Sequence, residues 1–208
     1  MNNIILTSSF NSVAHELQEK GFIPHGASRV AFIPTAADIY DEKPWVEADR
    51  NALIGLGYEV FDLFLKEQSV EQLKEELRTA NIVFVAGGNT TYLVERVHMC
   101  GFEQAVRDLL SEDRIYIGSS AGSILAGSTV EPFLEEDTSE LPKDFTLHDS
   151  TCLGLVDYIV LPHYPSFREQ NDKIQEKFSN RFTFMKMTDH DYRLSSYPLA
   201  RTELFLRT

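Results

Sequence analysis

The chain has 208 residues, of which 43% are hydrophobic and 25% are charged, so it is long enough to bury a sizeable core. Its formal net charge of -13 disfavours nucleic acid and anionic membrane surfaces as partners, because they carry charge of the same sign. No run approaches the ~20 apolar residues that span a bilayer, and the first residues lack the pattern of a secretion signal. We therefore expect a cytoplasmic protein that binds neither nucleic acid nor membranes.

Short apolar runs alternate with helical patterns along the chain. Strands are predicted at residues 4–6, 30–33, 59–63, 81–86, 115–117 and 157–161, with short terminal strands at 181–187 and 202–206. Helices are predicted at residues 10–20, 43–56, 70–79, 90–100, 102–111, 119–125 and 167–179, and residues 130–150 are acidic and irregular. This alternation predicts a single α/β domain over residues 1–208, with a mostly parallel sheet covered by helices on both faces. Ligands bind at the carboxyl ends of the strands in such a fold.

The strongest chemical signal is the pentapeptide Gly118-Ser119-Ser120-Ala121-Gly122, which follows the apolar run at 115–117. It fits the G-x-S-x-G pattern, in which small residues let a strand and a helix meet at a sharp turn that exposes a nucleophile. The register places Ser120 at the nucleophile position, because the two glycines then flank it symmetrically. Ser119 is the rival hydroxyl, and we expect it to line or pack the site.

A serine nucleophile needs a base and a group that orients the base. Of the six histidines, His163 is the best candidate for the base, since it follows an apolar run at the strand edge expected for Ser120. Acidic residues cluster after the serine turn, and we take Glu135 as the first choice for the orienting acid, with Glu136 and Asp137 as rivals. Most of such a cluster is ordinarily a solvated loop.

Acyl transfer also needs donors for the tetrahedral oxyanion. The N–H of Ala121, which follows the nucleophile, is the natural first donor, and Gly88, after the strand at 81–86, is the candidate for the second. The neighbouring Asn89 either caps the helix that follows or contacts substrate.

With these residues identified, the chain resembles the dipeptidase E (α-aspartyl dipeptidase) and cyanophycinase family of serine peptidases. The matching segments are Ile33-Pro34-Thr35-Ala36, Ala86-Gly87-Gly88-Asn89-Thr90, Gly118-Ser119-Ser120-Ala121-Gly122 and Leu161-Pro162-His163-Tyr164, in the same order and at similar spacing. The resemblance implies a three-layer fold like that of class I glutamine amidotransferases, and a Ser-His-acid peptidase without a metal or cofactor. It assigns Ser120 as nucleophile, His163 as base, and Gly88 and Ala121 as oxyanion donors. Glu135 falls where dipeptidase E-like members carry an aspartate.

The resemblance also implies a short peptide substrate, with aspartate at its N-terminus as one possibility. An acidic substrate needs a cation in the pocket, and Arg168, shortly after His163, is the candidate, although it could equally pair with Glu169 on the surface. Two rival functions stay open, another acyl hydrolase such as an esterase or amidase, and a binding protein that keeps the serine turn without chemistry. The sequence leaves open whether the protein is a monomer or a homodimer, and whether residues 130–150 form a lid.

Overall fold

A computed structural model describes residues 3–65 and 69–197, apart from the side chains of Glu136 and Asp137. The strands are β1 (Ile4–Thr7), β2 (Arg29–Ile33), β3 (Glu59–Asp62), β4 (Ile82–Val85), β5 (Ile115–Ser119), β6 (Ile159–Leu161), β7 (Phe184–Lys186) and β8 (Tyr192–Ser195). The helices are α1 (Phe10–Glu19), α2 (Pro44–Gly55), α3 (Val70–Arg78), α4 (Thr90–Cys100), α5 (Phe102–Ser111), α6 (Ala121–Leu125), α7 (Leu134–Asp137) and α8 (Arg168–Phe178). The strand predicted at 202–206 lies outside the described residues.

The central sheet has six strands in the order β3-β2-β4-β5-β1-β8. All neighbouring pairs are parallel except β1 with β8, which is antiparallel. The parallel strands therefore end at one edge, where the chain after β1, β4 and β5 comes together. This edge positions the candidate site, as expected for an open α/β sheet.

Both faces of the sheet are buried, because successive side chains of each strand point to opposite sides. In β4, Val83 and Val85 pack with the core that also contains residues of α3, α4, α5 and α6. Ile82 and Phe84 point to the other side, where they pack with residues of α1 and α2. Near-continuous apolar strands are typical of a parallel sheet covered on both faces, so this arrangement agrees with the predicted fold class.

Two features near the C-terminus differ from the sequence prediction. The strand predicted at 157–161 is β6, which pairs with β7 in a separate two-stranded parallel sheet and not in the central sheet. The central sheet gains β8, whose half-buried residues 192–195 have no strong apolar alternation and were not recognised as a strand. Pairing with β1 in tertiary structure overrides this weak local signal.

The helices of the described residues include none that is both long and apolar enough to cross a membrane.

Candidate active site

Ser120 lies between β5 and α6, where the motif predicts a sharp turn. Its backbone has φ 50° and ψ -108°, a conformation that residues with a side chain rarely adopt. The Ser120 N–H donates to Thr7 O at 3.0 Å, and Ser120 O accepts from Ser123 N–H and Ile124 N–H at 2.8 and 3.0 Å. These bonds hold the strained turn in place, with Ser120 lining a cavity at the sheet edge.

The two glycines of the motif allow the turn to be this tight. A Cβ atom on Gly118 would lie 2.6 Å from the carbonyl carbon of Gly122. A Cβ atom on Gly122 would lie 2.1 Å from the carbonyl oxygen of Val85 in β4. Both distances are far inside van der Waals contact, so α6 can pack against β4 and β5 only when these positions carry no side chain.

His163 follows β6 and reaches the serine from the neighbouring small sheet. Its Nε2 atom lies 2.9 Å from Ser120 Oγ, within hydrogen-bond distance. Its backbone has φ 57°, and its N–H donates to Ser8 Oγ at 2.7 Å. The structure therefore brings together the two residues that the sequence singled out as nucleophile and base.

The carboxylate beside the histidine is Asp189, in the turn between β7 and β8. Asp189 Oδ1 lies 2.7 Å from His163 Nδ1 and accepts a hydrogen bond from Ser8 Oγ at 2.9 Å. Because an ionised carboxylate only accepts hydrogen bonds, this contact places the imidazole proton on Nδ1. Nε2 is then free to accept the proton of the Ser120 hydroxyl.

Glu135, the acid chosen from the sequence, does not occupy this position. Its side chain is 78% exposed and forms an ion pair with Lys177 at 2.5 Å. The rival side chains of Glu136 and Asp137 lie outside the described part of the structure. The order along the chain is therefore serine, histidine, acid, and not serine, acid, histidine as expected from the sequence.

A signal for Asp189 is present in the sequence, in the polar run Thr188-Asp189-His190-Asp191 directly after a predicted strand. The run forms a turn in which Asp191 Oδ2 accepts from Thr188 N–H at 2.7 Å. Such a turn at the end of a strand is a suitable place for a side chain that reaches a neighbouring loop.

The hydrogen bonds of Asp189 affect its ionisation. Partial burial alone would raise the pKa of this carboxyl, but hydrogen bonds from His163 and Ser8 outweigh burial and hold the pKa below its usual range. Asp189 is therefore ionised at neutral pH, as a group that stabilises a protonated imidazole must be.

Of the two candidate oxyanion donors, Gly88 lines the same cavity as Ser120, and Ala121 directly follows Ser120 along the chain. Gly88 lines the cavity and has φ 150°, and a Cβ atom there would lie 2.3 Å from Ala36 O. Ala121 is fully buried at the start of α6. Asn89 is also buried, and its side chain accepts from Tyr92 N–H at 2.9 Å as the N-cap of α4. The structure thus gives Asn89 a capping contact, and it is not among the residues that line the cavity.

The cavity has a volume of about 500 Å³ and contains both Ser120 and His163 in its wall. Its apolar wall includes Tyr40, Trp45, Phe133 and Phe167. The Tyr40 hydroxyl donates to Glu140, which comes from the acidic segment at 130–150. Part of that segment therefore closes one side of the cavity.

A buried carboxyl group, that of Asp49 on α2, also lines the cavity. Burial raises its pKa above the usual value, and hydrogen bonds from Ser119 and Asn11 oppose that effect only in part. Asp49 Oδ1 accepts from Asn11 N–H at 2.9 Å, at the first turn of α1. Ser119 accepts from Phe10 N–H at 3.2 Å, which agrees with the predicted packing role of this serine.

Arg168, the predicted substrate-binding cation, lies on the surface at the start of α8. Its guanidinium group sits over the Tyr164 ring at 5.3 Å from the centroid, and Arg168 is not among the cavity-lining residues. The alternative pairing with Glu169 is not seen either, since Glu169 pairs with Lys173 at 2.8 Å. Within the described residues, no group of three or more histidine, cysteine, aspartate or glutamate side chains could hold a metal ion.

Comparison with known proteins agrees with this geometry. The model of Peptidase family S51 matches residues 4–191, a span that includes Ser120, His163 and Asp189. An uncharacterized peptidase of Listeria monocytogenes is 30% identical over 193 residues, covering 92% of this chain and 93% of that protein. Peptidase E of Nostoc sp. is 32% identical over 145 residues, covering 70% of this chain and 56% of that protein.

Solved structures confirm the predicted fold class. A crystal structure from Listeria monocytogenes has a TM-score of 0.83 at 28% identity and covers 95% of this chain and 96% of that one. A peptidase from an acI-B1 actinobacterium has a TM-score of 0.62 at 18% identity, over 93% and 82% of the two chains, a likeness in fold alone. The match of the family model and the similar relatives also confirm the resemblance drawn from the sequence. The chain therefore belongs to peptidase family S51 and is a serine-type peptidase.

Proposed function

We propose that the protein hydrolyses short peptides through an acyl-enzyme, with Ser120, His163 and Asp189 as its catalytic triad. The observation that carries the proposal is the continuous hydrogen-bonded chain from Asp189 Oδ1 through both nitrogens of His163 to Ser120 Oγ. Asp189 takes the role that the sequence had assigned to Glu135. A nucleophile, a base and an orienting acid in hydrogen-bond contact form the arrangement that acyl transfer requires.

In the proposed reaction, Ser120 Oγ attacks the peptide carbonyl carbon while His163 Nε2 takes the hydroxyl proton. The N–H groups of Gly88 and Ala121 would stabilise the oxyanion of the tetrahedral intermediate. His163 then gives its proton to the leaving amine, which leaves the acyl group on Ser120. A water molecule, deprotonated by His163, attacks the ester, and the second collapse returns the proton to Ser120. Asp189 stabilises the imidazolium in both halves of the reaction.

The size of the cavity favours a short substrate. A volume of about 500 Å³ lies within the range of sites that enclose a small molecule. Tyr40 and Glu140 both line this cavity and are hydrogen-bonded to each other, so the loop that carries Tyr40 and the acidic segment at 130–150 meet at its wall. We therefore propose dipeptides and similarly short peptides as the substrate class.

A dipeptide panel assayed with the Ser120→Ala variant tests the proposal. We expect the wild type to cleave members of the panel, and Ser120→Ala to lower kcat by about 10⁴-fold or more, because it lacks the nucleophile. Ser111→Ala, which removes an exposed hydroxyl at the end of α5, is the matched control and should keep full activity. Circular dichroism verifies that both variants are folded.

A fluorophosphonate probe separates the proposal from its rivals. Labelling of Ser120, identified by mass spectrometry, together with peptide cleavage would support a serine peptidase. Labelling with turnover of esters alone would support the other acyl hydrolases. No labelling and no turnover would indicate a binding protein, and undiminished cleavage by Ser120→Ala would contradict the proposed nucleophile.

A further inference from the structure

The ionisable side chains around the cavity bear on which peptides can bind. Among the described residues that line it there is no lysine or arginine, whereas Asp49 and Glu140 both line it. Arg168 is outside the cavity, over the Tyr164 ring. Carboxyl groups therefore outnumber lysine and arginine side chains in this lining, as acidic residues outnumber basic ones in the whole chain with its net charge of -13.

The aromatic part of the wall is suited to uncharged side chains. The Trp45 indole is fixed by a hydrogen bond from Nε1 to Gly87 O at 3.1 Å, and it makes an edge-on contact with Tyr40 at 5.5 Å between centroids. Phe167 makes an edge-on contact with the His163 ring at 5.8 Å. Aromatic surfaces at fixed positions bind apolar groups and cations, but they offer no partner for a carboxylate.

We propose, on the basis of the peptidase function above, that this cavity selects peptides whose enclosed side chain is uncharged or basic, and disfavours acidic ones. A substrate carboxylate would lose water and meet the Glu140 carboxylate and the buried carboxyl group of Asp49, with no lysine or arginine in the described lining to compensate. The positively charged ammonium group at the N-terminus of a peptide would instead be attracted by the Glu140 carboxylate. Glu140 is the carboxylate in the wall that can be changed without disturbing the buried core, since it is exposed.

The test compares Asp-Leu with the isosteric Asn-Leu, alongside Leu-Leu and Lys-Leu. We expect kcat/KM of the wild type to be about tenfold or more lower for Asp-Leu than for Asn-Leu. Glu140→Lys should raise the ratio of Asp-Leu to Asn-Leu by about threefold to tenfold at low salt, and Glu140→Gln by less. Glu176→Lys makes the same change in charge on the exposed side of α8 and should leave the ratio unchanged.

The outcomes separate this inference from the function on which it rests. If the wild type cleaves Asp-Leu as fast as Asn-Leu or faster, the charge selection is overturned while the peptidase function stands. An unchanged ratio in Glu140→Lys would also overturn the role of Glu140. Failure to cleave any of the four peptides would overturn the proposed function, and the inference with it.

A second, independent observation concerns Ser8, which follows β1 directly and is fully buried. Its hydroxyl oxygen accepts from the backbone N–H of His163 at 2.7 Å, and its hydroxyl proton goes to Asp189 Oδ1 at 2.9 Å. A serine hydroxyl has a single proton to donate, so these two bonds define its orientation. Ser8 thus links the backbone of the base to the carboxylate that orients it.

The position of Ser8 at the end of β1 also ties these two residues to the nucleophile. Thr7, the preceding residue, accepts from Ser120 N–H at 3.0 Å and pairs in register with Ser119. From this geometry we infer that Ser8 is a positioning residue, which keeps the Asp189 carboxylate and the His163 ring aligned with Ser120 through its hydrogen bonds to both residues.

Ser8→Ala tests this role. We expect kcat to fall by about 10- to 100-fold with KM little changed, because a hydrogen bond to a charged group is lost from the triad. The downfield proton resonance of His163 Nδ1–H should shift or broaden in the same variant. Ser8→Cys, which keeps a weak donor of similar shape, should recover part of kcat, and Ser12→Ala, an exposed change in α1, should match the wild type.

A wild-type kcat in Ser8→Ala would overturn the positioning role. An equal loss of kcat in folded Ser8→Ala and Ser8→Cys, with the Nδ1–H resonance unchanged, would overturn it as well. If Ser8→Ala does not fold, the comparison of Ser8→Cys with the wild type decides by the same two measurements.

Discussion

Replacing Asp189 with asparagine is expected to lower kcat by about 10³- to 10⁴-fold with little change in KM, the magnitude typical of this change in a serine peptidase triad. Asparagine keeps the size of the side chain but removes its charge, and its amide N–H₂ can donate to Nδ1. That contact would favour the tautomer with the proton on Nε2, which cannot accept the Ser120 proton. Steady-state kinetics on the best peptide of the panel measures the effect.

Glu135→Gln is the control that distinguishes the two acids. Glu135 lies in an exposed ion pair with Lys177, and such pairs contribute little, so kcat should stay within about twofold of the wild type. A large loss of kcat in Glu135→Gln together with an active Asp189→Asn would contradict the triad proposed here.

Gly122→Ala is expected to lower the free energy of unfolding by about 3 kcal/mol, which corresponds to a drop in Tm of roughly 6–12 °C. The added Cβ would lie 2.1 Å from Val85 O, a backbone atom in the middle of the sheet that has little freedom to move. Either α6 moves away from β4 or the strand shifts, and in both cases Ser120 is displaced. Differential scanning calorimetry measures the change.

Gly55→Ala provides the matched substitution at an open position. Gly55 is the last residue of α2, and no heavy atom lies within 4 Å of a Cβ placed there. Because alanine favours the helix and restricts the unfolded chain, Tm should be unchanged or slightly higher. A Gly122→Ala variant as stable as the wild type would show that the helix and strand can separate without cost.

The sequence predicted the parts of the site that depend on local pattern. Ser120 was found because the turn between a strand and a helix needs glycine at fixed spacing, a requirement visible in five residues. His163 was found because it follows a buried apolar run, although that run lies in the small sheet and not in the central one. The helices and parallel strands were predicted for a similar reason, since their periodicity is contained in each segment.

The carboxylate that contacts His163 could not be found in this way. The residues around Asp189 do not indicate which histidine its side chain will contact. That contact depends on the pairing of β8 with β1 and of β7 with β6, which is not visible in the local sequence. Glu135 was preferred because it lies in an acidic cluster near the motif. In the structure Glu135 instead forms an exposed ion pair with Lys177.

The pairing of β8 with β1 has a consequence for the order in which the candidate site is assembled during folding. Ile4 pairs with Ser195, so the outer edge of β1 is covered only after β8, which follows the other described strands along the chain, has been synthesised. Asp189 is carried by the turn that leads into β8. With the triad proposed above, a nascent chain can fold the other strands of its central sheet, Ser120 included, before Asp189 is in place. The relay from Asp189 through His163 to Ser120 is then complete only when β8 has paired with β1.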